Sequence, residues 1–78
     1  MVKIVLHELT KEYVQYKFYP EGRGEEYGIV QINLDDYKRV LVKDIDGIWS
    51  AYKGHAWHQA EMLARKGSFP DESWEAWY

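Results

Sequence analysis

Four short segments with alternating apolar and polar residues fill the first half of the chain, at 2–9, 12–19, 27–34 and 38–45. An alternation with a period of two is typical of β-strands that bury one face. A parallel connection needs a crossover of about a dozen residues or more, which these connections are too short to provide. The sequence therefore predicts an antiparallel β-meander of three to four strands.

A single helix is predicted over residues 48–67. Its apolar positions follow the three-and-four spacing of one helical face, namely Trp49, Tyr52, Ala56, Ala60 and Leu63. Asp46 and Ser50 are both suitable N-caps, and Gly67 suits the left-handed position that closes a helix. Pro70 prevents the helix from continuing. We expect this helix to pack across one face of the sheet.

The alternation also assigns the strand residues to two faces. The apolar face, which should receive the helix, consists of Val14, Tyr16, Phe18, Val30, Ile32, Leu34, Val40 and Val42. The outer face is rich in tyrosine and basic residues and consists of Tyr13, Gln15, Lys17, Tyr19, Tyr27, Ile29, Gln31, Asn33, Arg39, Leu41 and Lys43. Because the net charge is -3, the acidic side chains must lie elsewhere, mostly in loops and in the tail.

The last segment, residues 68–78, is short and aromatic. As a strand it would place Trp74, Ala76 and Tyr78 on one face, whereas as a helix it would group Trp74 with Trp77 and Tyr78. So aromatic a segment is not typical of a disordered tail. We expect it to dock at the edge of the sheet, as a strand or a turn, which completes an α+β fold.

Length and composition narrow the class of protein. The chain has 78 residues, enough for one small globular domain spanning 1–78. It contains no cysteine, which excludes disulfides and thiolate metal sites and agrees with a cytoplasmic location. The apolar run at 2–6 is too short for a signal peptide or a membrane span. We expect a cytoplasmic domain that does not contact a membrane.

The spacing of two histidines suggests metal binding. His55 and His58 lie one turn apart on the predicted helix, an offset at which two side chains can share an ion. Two ligands do not complete a site, and the zinc-protease spacing is absent. His55 and His58 are thus weak metal candidates, and the sequence predicts no cofactor.

No arrangement of catalytic residues is evident. The three serines, Ser50, Ser68 and Ser73, lie outside any nucleophile-elbow motif. A chain this short also has little room for a deep pocket. We expect no catalytic residues and a protein that is not an enzyme.

The outer face is the surface that the sequence singles out for binding. Its candidate binding residues are Tyr13, Lys17, Tyr19, Arg39 and Lys43. Tyrosine and arginine are favoured in protein contacts, so the expected function is a non-enzymatic interaction domain that uses this face or a sheet edge. It would bind an unknown protein partner or self-associate, for example as a homodimer. Rings interleaved with cations also bind single-stranded nucleic acid, which is the alternative function. The same residue types are typical of a solvated sheet face.

Overall fold

The structure is a computed structural model that describes residues 1–21, 25–47 and 49–76. Three predicted features reach beyond these ranges: the connection between the segments at 12–19 and 27–34, the start of the helix at Ile48, and the positions of Trp77 and Tyr78. Within the described ranges, no helix combines the length and apolarity needed to cross a bilayer.

Five strands and one helix follow one another along the chain: β1 (Val2–Leu9), β2 (Tyr13–Pro20), β3 (Gly28–Asn33), β4 (Arg39–Lys43), α1 (Ala51–Lys66) and β5 (Glu72–Glu75). In space the strands take the order β4-β3-β2-β1-β5, and every neighbouring pair is antiparallel. The predicted α+β fold, a meander with one helix packed across it, is confirmed with five strands instead of three to four. Because α1 lies between β4 and β5 in sequence, the chain passes from one edge of the sheet to the other along the helix.

The hydrophobic core lies between the sheet and α1. Alternation along β1, β2 and β3 places these residues on one face, where they are fully buried: Val2, Ile4, Val14, Tyr16, Phe18, Val30 and Ile32. The helix meets them with Ala56, Ala60 and Ala64, which are also buried. Small side chains repeated every four residues let the helix approach the sheet closely, at the packing density that protein interiors require.

The structure agrees with the sequence prediction more closely at the C-terminal end of α1 than at its N-terminal end. Gly67 adopts a left-handed conformation with φ 70°, and its N–H donates to the carbonyl of Ala64 at 3.1 Å, as a C-cap should. Ser50 occupies the N-cap position, but its side chain makes no capping hydrogen bond. Trp49, predicted on the buried helical face, precedes the helix and is 63% exposed.

The predicted face assignment is wrong for most of β4. Arg39 lies opposite Ile32 and Leu41 lies opposite Val30, and both partners are core residues. Since residues directly opposite each other share a face, Arg39 and Leu41 lie on the helix side and not on the outer face. Val40, which the alternation assigned to the helix side, lies opposite Gln31 on the outer face.

An irregularity in the pairing of β3 with β4 explains this error. Val30 pairs with Leu41, whereas the preceding Ile29 pairs with Lys43, which leaves Val42 as an extra residue. A bulge of this kind resets the alternation of the strand that contains it. Lys43 therefore returns to the outer face, opposite Ile29, where the sequence placed it.

The aromatic tail adds the fifth strand. β5 pairs with β1, with Trp74 opposite Lys3 and Ser73 opposite Ile4. The strand alternative for the tail is thus confirmed over Glu72–Glu75. Trp74 faces outward and is 47% exposed.

Candidate functional site

The outer face carries a group of rings and lysines that we call the ring-lysine cluster, consisting of Lys3, Lys17, Tyr19, Tyr27, Lys43 and Trp74. Strand pairing builds one half of it, because Lys3 lies between Tyr19 on β2 and Trp74 on β5. The Nζ atom of Lys3 is 5.8 Å from the centroid of each of these two rings. One lysine thus connects the aromatic residues of two separate strands.

Tyr27, just before β3, forms the centre of the other half. Its ring centroid lies 5.7 Å from that of Tyr19, with the planes tilted by 48°. The Nζ atoms of Lys17 and Lys43 lie 4.6 Å and 4.0 Å from the centroid of Tyr27. Exposed cation–π contacts contribute about 0.5–1 kcal/mol each, so they order these side chains more than they stabilise the fold.

The ring-lysine cluster is positively charged although the whole chain is acidic. Lys3 has one long ion pair, 3.9 Å from Glu72. Neither Lys17 nor Lys43 forms an ion pair with any carboxylate in the described part of the chain. The cluster therefore offers positive charge beside aromatic surface.

Three of the five predicted binding residues, Lys17, Tyr19 and Lys43, lie together in the ring-lysine cluster. Tyr13 does not, because its hydroxyl donates to Glu8 at 2.5 Å near the opposite end of the outer face. That hydrogen bond is the main cause that raises the pKa of Tyr13 above its ordinary value. Tyr13 also borders an open, mostly polar depression with Lys11, Glu12, Gln31, Asn33 and Asp35.

Arg39, the fifth predicted residue, lies on the helix side of the sheet. Its Nε atom is 3.1 Å from Oε1 of Glu61, and Nε of Arg65 is 3.1 Å from Oε2 of the same carboxylate. Hydrogen bonds from Arg65 and then from Arg39 lower the pKa of Glu61 below its ordinary value. One carboxylate is thus shared by two guanidinium groups, which leaves an excess of positive charge beside β4.

Lys3 and Trp74 are members of the ring-lysine cluster that sequence reasoning did not select. Lys3 alternates with the core residues Val2 and Ile4, so the rule that assigned the other strands to faces could have placed it outward. Trp74 could not be placed in this way. Its position depends on pairing with β1, far away in the sequence.

Strand β4 is an open edge of the sheet, because it neighbours only β3. All five of its residues are exposed, including Val40 and Leu41 at 37% and Val42 at 47%. An edge strand presents unpaired backbone N–H and C=O groups, which can pair with another chain. Backbone groups and apolar side chains are thus accessible together along this edge.

The pairing pattern indicates which backbone groups of β4 point away from β3, toward the open edge. The N–H of Asn33 donates to the carbonyl of Lys38 at 3.0 Å, which makes these two residues a hydrogen-bonded pair. In an antiparallel ladder, hydrogen-bonded and non-hydrogen-bonded pairs alternate. The N–H and C=O of Arg39 and Leu41 therefore point away from β3, toward the open edge.

Helix α1 also holds the middle of β4 in place. Trp57 donates from its indole Nε1 to the carbonyl of Val40 at 3.2 Å. Together with the Arg39–Glu61 ion pair, this contact ties β4 to the helix at two successive residues. Helix α1 thus holds the edge strand β4 in position through contacts on the helix side of the sheet.

The two histidines of α1 bind a single carboxylate on β5. The Nδ1 atom of His55 is 3.0 Å from Oε2 of Glu75, and Nδ1 of His58 is 2.7 Å from Oε1. The side chain of Glu75 is only 14% exposed, so these contacts fasten β5 to the helix. Over 1–21, 25–47 and 49–76, no group of three or more His, Asp or Glu residues is placed to hold a metal ion. The geometry supports a structural role for His55 and His58.

No family model matches the sequence, and no curated protein or solved structure matches it either. The proposed function therefore depends on the geometry of this chain's own residues.

Proposed function

We propose that the protein is a small non-enzymatic interaction domain that binds a protein partner through edge strand β4. The observation that carries this proposal is the exposure of the complete strand, with Val40, Leu41 and Val42 uncovered in succession. An exposed edge can pair with other chains, and the bulge and terminal cations of β4 restrict which chains can do so. A partner that adds a strand here gains affinity from main-chain hydrogen bonds and specificity from alternate side chains.

The support of β4 by α1 favours this mode of binding. Trp57 and Glu61 hold the strand from the helix side, while Arg39 and Leu41 direct backbone groups to the open edge. A partner strand can therefore pair without rearranging the sheet. A preformed surface of this kind loses less conformational entropy on binding than a mobile one.

The experiment that tests the proposal is affinity capture from cells that naturally produce the protein, followed by titration of the purified partner. Leu41→Pro removes an N–H that points to the open edge and leaves the ladder with β3 intact. We expect this variant to lose the proteins that the wild type captures. Met62→Ala, an exposed apolar change on α1, should retain them.

A second edge variant separates loss of binding from loss of folding. Val42→Lys keeps every backbone group and places a charge on the apolar edge. Both variants should keep the circular dichroism spectrum of the wild type. If folded Leu41→Pro and Val42→Lys bind the purified partner as tightly as Met62→Ala does, β4 is not the binding surface and the proposal is wrong.

Single-stranded nucleic acid is the second candidate ligand, and the ring-lysine cluster is the observation that favours it. Three rings alternate with three lysines across neighbouring strands, which suits stacking of bases beside a phosphate backbone. Lys17→Glu combined with Lys43→Glu should abolish oligonucleotide binding, and Trp74→Ala should weaken it about tenfold or more. Fluorescence anisotropy with a labelled oligothymidine measures both. Equal affinity for the wild type and the double variant would rule out this function.

A further inference from the structure

We infer that the strand added to β4 is an acidic extended segment in which two acidic residues flank two apolar, β-branched residues. The inference rests on the proposed function and specifies the chemistry of the partner. It follows from the order of side chains along β4, which is Arg39, Val40, Leu41, Val42 and Lys43. A cation stands at each end of an exposed apolar centre, and the strand contains no acidic residue.

The acidic residues nearest to β4 already have partners within the domain. Asp44 follows the strand and lies 3.1 Å from Nζ of Lys53, and these contacts lower the pKa of its carboxyl group. Glu61 binds two guanidinium groups at once. At the other end of the strand, Lys43 contacts the ring of Tyr27 but no described carboxylate. An acidic partner would therefore supply charge that the domain itself leaves unbalanced.

The same charges argue against a second copy of this chain as the occupant. Two paired β4 strands would bring together two arginines and two lysines, with no acidic residue on either strand to balance them. Like charges close together across a strand pair destabilise it. Basic residues at both ends of an edge strand thus oppose self-pairing and leave the edge open to an acidic segment.

Strand geometry defines the pattern of the partner. Residues directly opposite each other have Cβ atoms about 4.5–5.5 Å apart, close enough for a carboxylate to reach the facing cation. In β3, the residues opposite Arg39 and Lys43 are Ile32 and Ile29, with two residues between them, because Val42 is the extra residue of the bulge. An added strand must follow the same count, so its two acidic residues are separated by two residues and lie on opposite faces of the sheet. β-Branched residues at those two positions favour the extended conformation and cover the exposed apolar centre.

The test is a titration of the complete, isotope-labelled protein with two synthetic peptides, monitored by NMR. One peptide contains Glu-Val-Val-Glu and the other Lys-Val-Val-Lys, within identical neutral flanks. We expect the acidic peptide to shift amide resonances of β4, to bind more weakly as salt increases, and to bind at least about tenfold more tightly than the basic peptide. Leu41→Pro should abolish its binding.

Charge-reversal variants connect the effect to one residue. Lys43→Glu should weaken binding of the acidic peptide about tenfold, because an attractive cross-strand pair becomes repulsive. Lys11→Glu makes the same change of charge in the connection between β1 and β2, two strands away from β4, and should have little effect. Equal losses in the two variants would indicate a general effect of net charge and would overturn the inference.

The remaining outcomes separate this inference from the proposed function. If the purified natural partner depends on Leu41 but binding of the acidic peptide is not detected, the inference is wrong and the proposed function stands. The inference is also wrong if light scattering detects a dimer that Leu41→Pro dissociates, since a second copy then occupies the edge. If Leu41→Pro weakens binding of neither the purified partner nor the acidic peptide, both the inference and the proposed function are wrong.

Discussion

Phe18 on β2 lies directly opposite Gly28 on β3, and its ring covers the place where a Cβ atom of residue 28 would project. That atom would overlap the ring and would also stand 2.8 Å from the carbonyl oxygen of Lys43. Phe18 is fully buried in the core. A glycine within a strand often marks such a close approach, and here its absent side chain makes room for a core aromatic residue.

Gly28→Ala should therefore destabilise the protein. The added methyl group forces the ring of Phe18 or the backbone of β4 to move, which typically costs about 1–3 kcal/mol in the free energy of unfolding. Urea unfolding followed by circular dichroism measures the loss. Because the clash involves one ring, the cost of Gly28→Ala should be smaller in a Phe18→Leu background. Strict additivity of the two changes would show that the ring is not the obstacle.

Gly54→Ala should have the opposite effect. Gly54 lies within α1, and a Cβ atom there would have no other atom within 4 Å apart from its own helical surroundings. Alanine is more favourable than glycine in a helix interior by about 0.5–1 kcal/mol. The midpoint of thermal unfolding should rise accordingly. A fall would mean that α1 approaches another surface at this position.

Stability should decrease in alkali because of Tyr16. Burial, and secondarily the charge of Asp71, raise the pKa of Tyr16 from 10.0 to about 12. The neutral hydroxyl is favoured in the folded state, where it donates to the carbonyl of Pro70 at 2.9 Å. Its contribution is complete below the unfolded pKa and disappears as the pH rises through the folded one. A pKa shift of this size corresponds to a loss of roughly 2–3 kcal/mol in the free energy of unfolding as the pH rises from the unfolded pKa to above the folded one.

Denaturant titrations at increasing pH test this prediction. Tyr16→Phe removes both the titrating group and the hydrogen bond, so it should be less stable than the wild type at neutral pH by about 1 kcal/mol. The difference should shrink and then reverse as the pH increases. Parallel pH profiles for the two proteins would show that another group causes the alkaline loss.

Glu61→Gln should destabilise the protein at neutral pH and have no such effect in acid. Two arginines lower the pKa of this carboxylate, so its contribution is present above the unfolded pKa and is lost as the pH falls through the folded one. Because Arg39 and Arg65 are both partly exposed to solvent, we expect the free energy of unfolding to fall by no more than about 1 kcal/mol. Glu26→Gln, an exposed change of the same charge, should leave stability nearly unchanged. A loss that persists in acid would point to packing as its cause.

The sequence predicted most of the fold because its strong signals are local. Alternation in β2 placed Tyr16 and Phe18 in the core, and Gly67 marked the end of α1 correctly. β4 shows where local reasoning fails. Its five residues contain no sign of the bulge that turns Arg39 toward the helix, because a bulge is defined by the partner strand.

The candidate site was predicted only in part for a related reason. Lys17, Tyr19 and Lys43 could be grouped because neighbouring strands of a meander bring them together. Trp74 required knowledge that β5 returns to β1 at the far edge, which sequence pattern alone does not supply. The open edge at β4 likewise follows from strand order and not from composition.

Because β5 returns to β1, one strand pair joins distant parts of the chain, with Val2 opposite Glu75, while the hairpins of the meander join near neighbours. Closing a longer loop costs more entropy, so the hairpins should be largely formed in the transition state for folding before β5 docks. Changes in β5, such as Trp74→Ala, should therefore accelerate unfolding and leave the folding rate almost unchanged, which stopped-flow kinetics would detect. The last strand thus sets how long the native domain persists, and the meander sets how fast it forms.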